Sequence, residues 1–156
     1  MTAKAPVEFY FDFISPFGYL AAAKIDELAA RYGRDVHWQP MMLGVTVMKV
    51  MGLKPLLDTP LKGDYVRRDV PRLARIFGVP LKMIDEVPSP LAAARAFYWL
   101  DDRDPTLAKK LAQRLYPRLF ARGEDISRPE SVAEEAEALG IPRQETLDAL
   151  QDEKVK

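Results

Sequence analysis

Ser15 and Pro16 stand directly after an alternating run, V-E-F-Y-F-D-F-I, and directly before F-G-Y-L-A-A-A. Serine is a preferred helix N-cap, and proline is the preferred first helical residue. The hydroxyl is therefore held where unpaired backbone N–H groups and the positive end of a helix dipole converge. Such a place suits a thiolate or another anion. It equally suits a plain cap, and local chemistry alone makes the cap the commoner role. Ser89-Pro90 and Asp104-Pro105 repeat the same device elsewhere in the chain.

Other chemistry is narrowed by what the chain lacks. It has no cysteine, so disulfides, thiolate zinc sites and dithiol redox chemistry are excluded, and no metal site is expected. Its one histidine, His37, alternates with Val36 and Trp38 in a strand pattern and reads as structural. Lys plus Arg and Asp plus Glu are both 23, so nucleic acid and anionic membranes are not expected as partners. No apolar run is long enough to span a bilayer, and M-T-A-K-A-P lacks a signal-peptide core. The expected setting is the cytosol.

At 156 residues and 48% hydrophobic, the chain has enough apolar material for a real core. Val7, Phe9, Phe11 and Phe13 alternate with polar residues, predicting a strand over 7–14. Phe17, Ala21, Ile25, Leu28 and Tyr32 recur at helical spacing, predicting one helix over 16–32 with that buried face, stopped by Gly33. V-H-W-Q, ended by Pro40, reads as a second strand, so a parallel βαβ unit is expected. Met41 to Thr59 is rich in methionine and glycine and reads as a core-facing loop with a short helix, or as the border of an apolar pocket.

From Leu61 the pattern is helical. Val66, Val70, Leu73 and Phe77 make one stripe, with Pro71 expected to kink it or to mark a fresh start capped by Asp69. Ser89-Pro90, Asp104-Pro105 and a capping box at S-R-P-E (127–130) predict three further helix starts. Arg143 to Gln151 reads as a last short helix.

F-D-F-I-S-P-F-G-Y-L-A resembles the opening of the glutathione-dependent 2-hydroxychromene-2-carboxylate isomerases, relatives of kappa-class glutathione transferases and DsbA-like oxidoreductases. In the oxidoreductases a C-x-x-C motif sits where this chain has Ser15-Pro16-Phe17-Gly18. L-K-G-D-Y-V-R-R-D-V-P-R-L-A-R-I-F-G-V-P, A-A-A-R-A-F-Y-W-L and A-R-G-E-D-I-S-R-P follow in family order. The resemblance implies an α/β, thioredoxin-like fold. Residues 1–40 would be the βαβ unit and 41–156 a mostly helical inserted domain. It also implies glutathione as cofactor, Ser15 as the catalytic residue facing its sulfur, and Pro16 and Phe17 beside it in the binding turn. A homodimer is part of the same expectation.

The implied reaction is isomerisation of 2-hydroxychromene-2-carboxylate, or a similar aromatic-degradation intermediate, by reversible thiolate addition. A carboxylate substrate needs a cationic partner. Lys62 and Arg67 are the candidates, and Lys62 and Tyr65 match the family's lysine-x-x-tyrosine stretch; a solvated helix face explains all three equally well. A kappa-class-like transferase using the same Ser15 is one alternative. A noncatalytic thioredoxin-like binding protein is the other.

The chain departs from the family in three places. Family members continue with a strand, a hairpin and a helix bearing glycine-phenylalanine-glycine-x-proline, whereas this sequence stops at Lys156, so the C-terminal half of the sheet is absent from it. Extra residues or a partner chain are expected along the first strand's edge. Phe120 stands where a tryptophan is common, and V-P-S-P-L replaces a polar helix start.

Overall fold

The computed structural model describes residues 4–84, 86–152 and 155. They form two compact units, one up to Leu81 and one from Lys82 onward.

The first unit begins with β1 (Val7–Phe11) and β2 (Val36–Pro40), paired in parallel from Val7 opposite Val36 to Phe11 opposite Pro40. The apolar face reads as expected. Phe9, Phe11, Phe13 and Trp38 form one ring cluster with centroids 5.0–5.3 Å apart, mostly edge to face. Such pairs add about 0.5–1.5 kcal/mol each to simple burial. His37, on the opposite face, is exposed with Nδ1 3.2 Å from Glu8 on the neighbouring strand.

Two expectations for the crossover are corrected. The strand stops at Phe11, because Asp12 turns the chain. The single helix predicted over 16–32 is two short ones, α1 (Pro16–Ala22) and α2 (Ile25–Arg31). Lys24 leaves helical geometry at φ −128° and its N–H bonds to Ala21 instead of one residue further back. The break rotates the second half relative to the first. Tyr19, Leu20 and Ala29 are buried, whereas Phe17, Leu28 and Tyr32 of the predicted stripe are 36%, 50% and 64% exposed. Gly33, at φ 62°, ends the crossover as its left-handed conformation allows.

Beyond β2 a seven-residue π-helical stretch (Gly44–Val50) and a short turn (Leu56–Asp58) lead into α3 (Lys62–Phe77). The helix runs through Pro71 without a fresh start. Asp69 is buried and binds Arg72 rather than capping a new helix. Val66, Val70 and Ala74 form the buried stripe, and Phe77 lies at its exposed end. Gly63 sits so close to the preceding turn that a Cβ would lie 2.2 Å from the Leu57 carbonyl oxygen. Gly63→Ala must push that backbone away, and urea unfolding should show a loss of about 2 kcal/mol. No change would mean that the turn moves freely.

The second unit contains α4 (Leu91–Asp101), α5 (Pro105–Pro117) continuing into a π-helical turn (Arg118–Arg122), α6 (Pro129–Glu137) and α7 (Arg143–Gln151). Ala92, Ala93 and Ala96 of α4 and Ala108 and Ala112 of α5 are buried where these two helices pack, small residues that permit close approach. Asp104 caps α5 by accepting the N–H groups of Thr106 (3.0 Å) and Leu107 (3.1 Å). The predicted capping box does not form. Asp125 takes both the N–H and the hydroxyl of Ser127 at 2.8 Å, so α6 starts from Arg128 without a side-chain cap. Among the described residues no helix is long and apolar enough to cross a membrane.

Candidate functional site

The site is built where β1 ends. Asp12 closes a turn in which its carbonyl accepts the Ser15 N–H at 2.9 Å and its Oδ1 accepts the Ile14 N–H at 3.1 Å. This Asx-type turn delivers Ser15 to the N-cap of α1 in extended geometry, φ −88° and ψ 116°. Ser15 Oγ accepts the Gly18 N–H at 3.1 Å, and the Tyr19 N–H goes to the Ser15 carbonyl. Pro16 has no N–H to offer. The several open N–H groups expected from the sequence thus reduce to one, that of Phe17, which finds no acceptor among the described residues.

Two further facts shape the electrostatics. At seven residues α1 supplies only a short dipole, so the hydroxyl matters more than the helix behind it. Tyr19, the other hydroxyl of this helix, donates to the Pro80 carbonyl at 2.8 Å, and burial raises its pKa. Among the described residues the Ser15 O–H has no acceptor. Because its oxygen already accepts from Gly18, the O–H can donate outward to an anion lying near the Phe17 N–H. A sulfur anion fits this pair of donors.

Asp12 was not a candidate from the sequence, where alternation placed it on the polar face of a strand. It is instead 2% exposed. Its Oδ2 accepts the Leu43 N–H at 2.7 Å, so the carboxylate bridges the turn and the segment leaving β2. Burial raises its pKa, opposed by the N–H groups of Ile14 and Leu43. The available signal was a carboxylate three residues before a serine-proline pair, the pattern of a side chain that captures local N–H groups.

The remaining candidates lie on α3, which packs against α1. Lys62 and Tyr65, three residues apart, share one exposed face near the helix start. Arg67 is exposed and two residues further on, off that face. Ser15, Pro16 and Phe17 are thus brought together in one turn, while among the described residues no hydrogen bond joins them to Lys62, Tyr65 or Arg67. Among the described residues no cluster of histidine, cysteine or carboxylates could hold a metal.

The second unit carries a groove of about 770 Å³ between α4 and α7, lined by Tyr98, Trp99, Asp102, Arg103 and Glu145 among others. Arg103 stands 4.8 Å over the Trp99 ring and 2.9 Å from Glu145, so its position for a cation is already filled by the chain itself.

Comparison with known proteins places this geometry in context. Residues 6–156 match the family described as DSBA-like thioredoxin domain. Glutathione S-transferase kappa 1 of Caenorhabditis elegans is 28% identical over 161 residues, covering 95% of this chain and 69% of that protein. 2-hydroxychromene-2-carboxylate isomerase of Pseudomonas putida is 37% identical over 76 residues, covering 48% of this chain and only 37% of the isomerase. A solved 2-hydroxychromene-2-carboxylate isomerase superposes with a TM-score of 0.83 at 25% identity, covering 97% of this chain and 73% of that one. The fold is therefore the thioredoxin-like DsbA fold, with its small parallel sheet and many helices.

Proposed function

The chain belongs to the DSBA-like thioredoxin family, and from that premise we propose that it is a glutathione-dependent isomerase of the 2-hydroxychromene-2-carboxylate type. The observation that carries this reading is the Ser15 hydroxyl. Its oxygen is fixed by the Gly18 N–H, leaving its proton to hold a sulfur anion. A relative named as a glutathione S-transferase supports the cofactor, and one named as 2-hydroxychromene-2-carboxylate isomerase supports the reaction. Glutathione, when bound, would supply a thiolate nucleophile for reversible addition to a conjugated ring-opened substrate.

The chain's own residues have limited tasks in this reading. Ser15 donates to the sulfur and keeps it ionised near neutral pH. Phe17 offers its N–H beside that position, and Pro16 presets the turn. Lys62, on the face it shares with Tyr65, or alternatively Arg67, pairs with the substrate carboxylate. A cytoplasmic homodimer, and an inserted helical domain after residue 40, belong to the same proposal.

The test is to incubate the protein with 2-hydroxychromene-2-carboxylate, with and without glutathione, and follow the absorbance of the open-chain product. Interconversion that requires glutathione is expected. A second reading, conjugation of glutathione to electrophiles, is favoured by the longer stretch shared with the kappa-class relative. Conjugate formation from an electrophilic aryl halide, without isomerisation, would select it. Absence of glutathione binding would leave a noncatalytic thioredoxin-like protein.

A further inference from the structure

Asp12 holds the end of β1 to two separate pieces of chain. Through its carbonyl and Oδ1 it closes the turn that presents Ser15, at 2.9 and 3.1 Å. Through Oδ2 it accepts the Leu43 N–H at 2.7 Å, beside a second link in which Phe11 accepts the Met41 N–H at 2.7 Å. Carboxylates are seldom this buried, and these two oxygens are spent on backbone N–H groups rather than at a surface. The carboxylate thus ties the 41–43 segment to the turn that carries the serine.

We propose that Asp12 is the positioning residue of the thiol site: its carboxylate locks the 12–15 turn to the 41–43 segment and so fixes where the Ser15 hydroxyl meets the sulfur. This inference rests on the glutathione reading above. Asp12 touches neither cofactor nor substrate in it and acts only through Ser15. Replacing the carboxylate by an amide leaves one accepting oxygen, so either Ile14 or Leu43 loses its acceptor and faces an NH₂ group instead.

The experiment titrates the thiol of bound glutathione by its thiolate absorbance, and measures glutathione affinity, in wild type, Asp12→Asn, Ser15→Ala and the double variant. Asp12→Asn should bind glutathione within a few-fold of wild type but raise the thiol pKa by about one unit, about tenfold less thiolate below that pKa. In the double variant the pKa should equal that of Ser15→Ala alone, because in this proposal Asp12 acts on the sulfur through Ser15. Should Asp12→Asn fail to fold, Leu43→Pro removes the N–H that donates to Oδ2 at 2.7 Å, while Leu43 already has a proline-compatible φ of −58°. It should move the pKa in the same direction by a smaller amount.

An unchanged pKa in the folded variants would make Asp12 a structural pin only and overturn the inference. A lowered pKa would overturn it too, showing that its negative charge repels the thiolate rather than setting the geometry. Wild type that binds no glutathione would bring down the functional reading, and this inference with it, before any variant is compared.

Discussion

Ser15→Ala is expected to raise the pKa of bound glutathione thiol by about one to two units and to cut activity near neutral pH about tenfold to a hundredfold. The magnitude follows from losing one hydrogen bond to a charged group, about 1.5–3 kcal/mol, at about 1.4 kcal/mol per pKa unit. The direction follows because the lost bond favours only the ionised form. Activity should recover partly as pH rises, since alkaline solvent restores the thiolate that the hydroxyl no longer stabilises. A separate cost falls on folding. The cap to the Gly18 N–H is lost as well, about 1 kcal/mol in urea unfolding. The two effects part cleanly in experiment, because a pure cap would change the unfolding curve and leave the thiolate titration where it was. Superimposable titrations of wild type and variant would reduce Ser15 to a helix cap.

Glu135→Ala should destabilise the second unit by about 3 kcal/mol. The Glu135 side chain is 5% exposed on α6 and faces three arginines spaced four residues apart along α5 and its continuation. Oε1 accepts from Arg118 at 3.3 Å and from Arg122. Arg114 Nε lies 2.9 Å from Oε2 but its N–H is not aligned for a hydrogen bond, so that contact counts as an ion pair alone. Removing the glutamate leaves the Arg118 guanidinium, 12% exposed, with Glu134 at 2.9 Å and Glu124 at 3.5 Å as its acidic partners among the described residues. Breaking a buried pair by deleting one partner costs about 3–5 kcal/mol, against at most about 1 kcal/mol for exposed pairs. The remaining partners keep the expected loss at the lower end. Glu135→Gln preserves shape, so whatever part of the loss it reproduces in urea unfolding is electrostatic. A loss below about 1 kcal/mol would show that solvent already screens the cluster.

The sequence disclosed what is decided within a few residues. Alternation placed Phe9, Phe11 and Phe13 on one face, and Ser15-Pro16, Gly33 and Asp104-Pro105 marked where helices start or stop. It failed where two local signals compete or where packing decides. Ser127 and Asp125 can each serve backbone donors, and the aspartate also captured the serine. Lys24 breaks the crossover with no glycine or proline to announce it, so the buried stripe read across that point was out of phase. Pro71 lies within a helix that continues on both sides of it despite the missing hydrogen bond. At the candidate site the serine was legible because capping is local chemistry. Its support was not, since the bond from Asp12 to Leu43 spans 31 residues and leaves no periodic trace.

That bond also bears on how such a chain can drift over evolutionary time. Two donors to the Asp12 carboxylate are main-chain N–H groups, at Ile14 and Leu43, and a main-chain donor is supplied by every residue except proline. Substitutions at these two positions can therefore accumulate one at a time, with no compensating change elsewhere, whereas the acceptor has no such freedom. The cost of the arrangement is borne by a single codon. Selection on the turn would be visible as an invariant acid next to freely changing neighbours, and as a ban on proline at position 43, rather than as a pair of residues that change together.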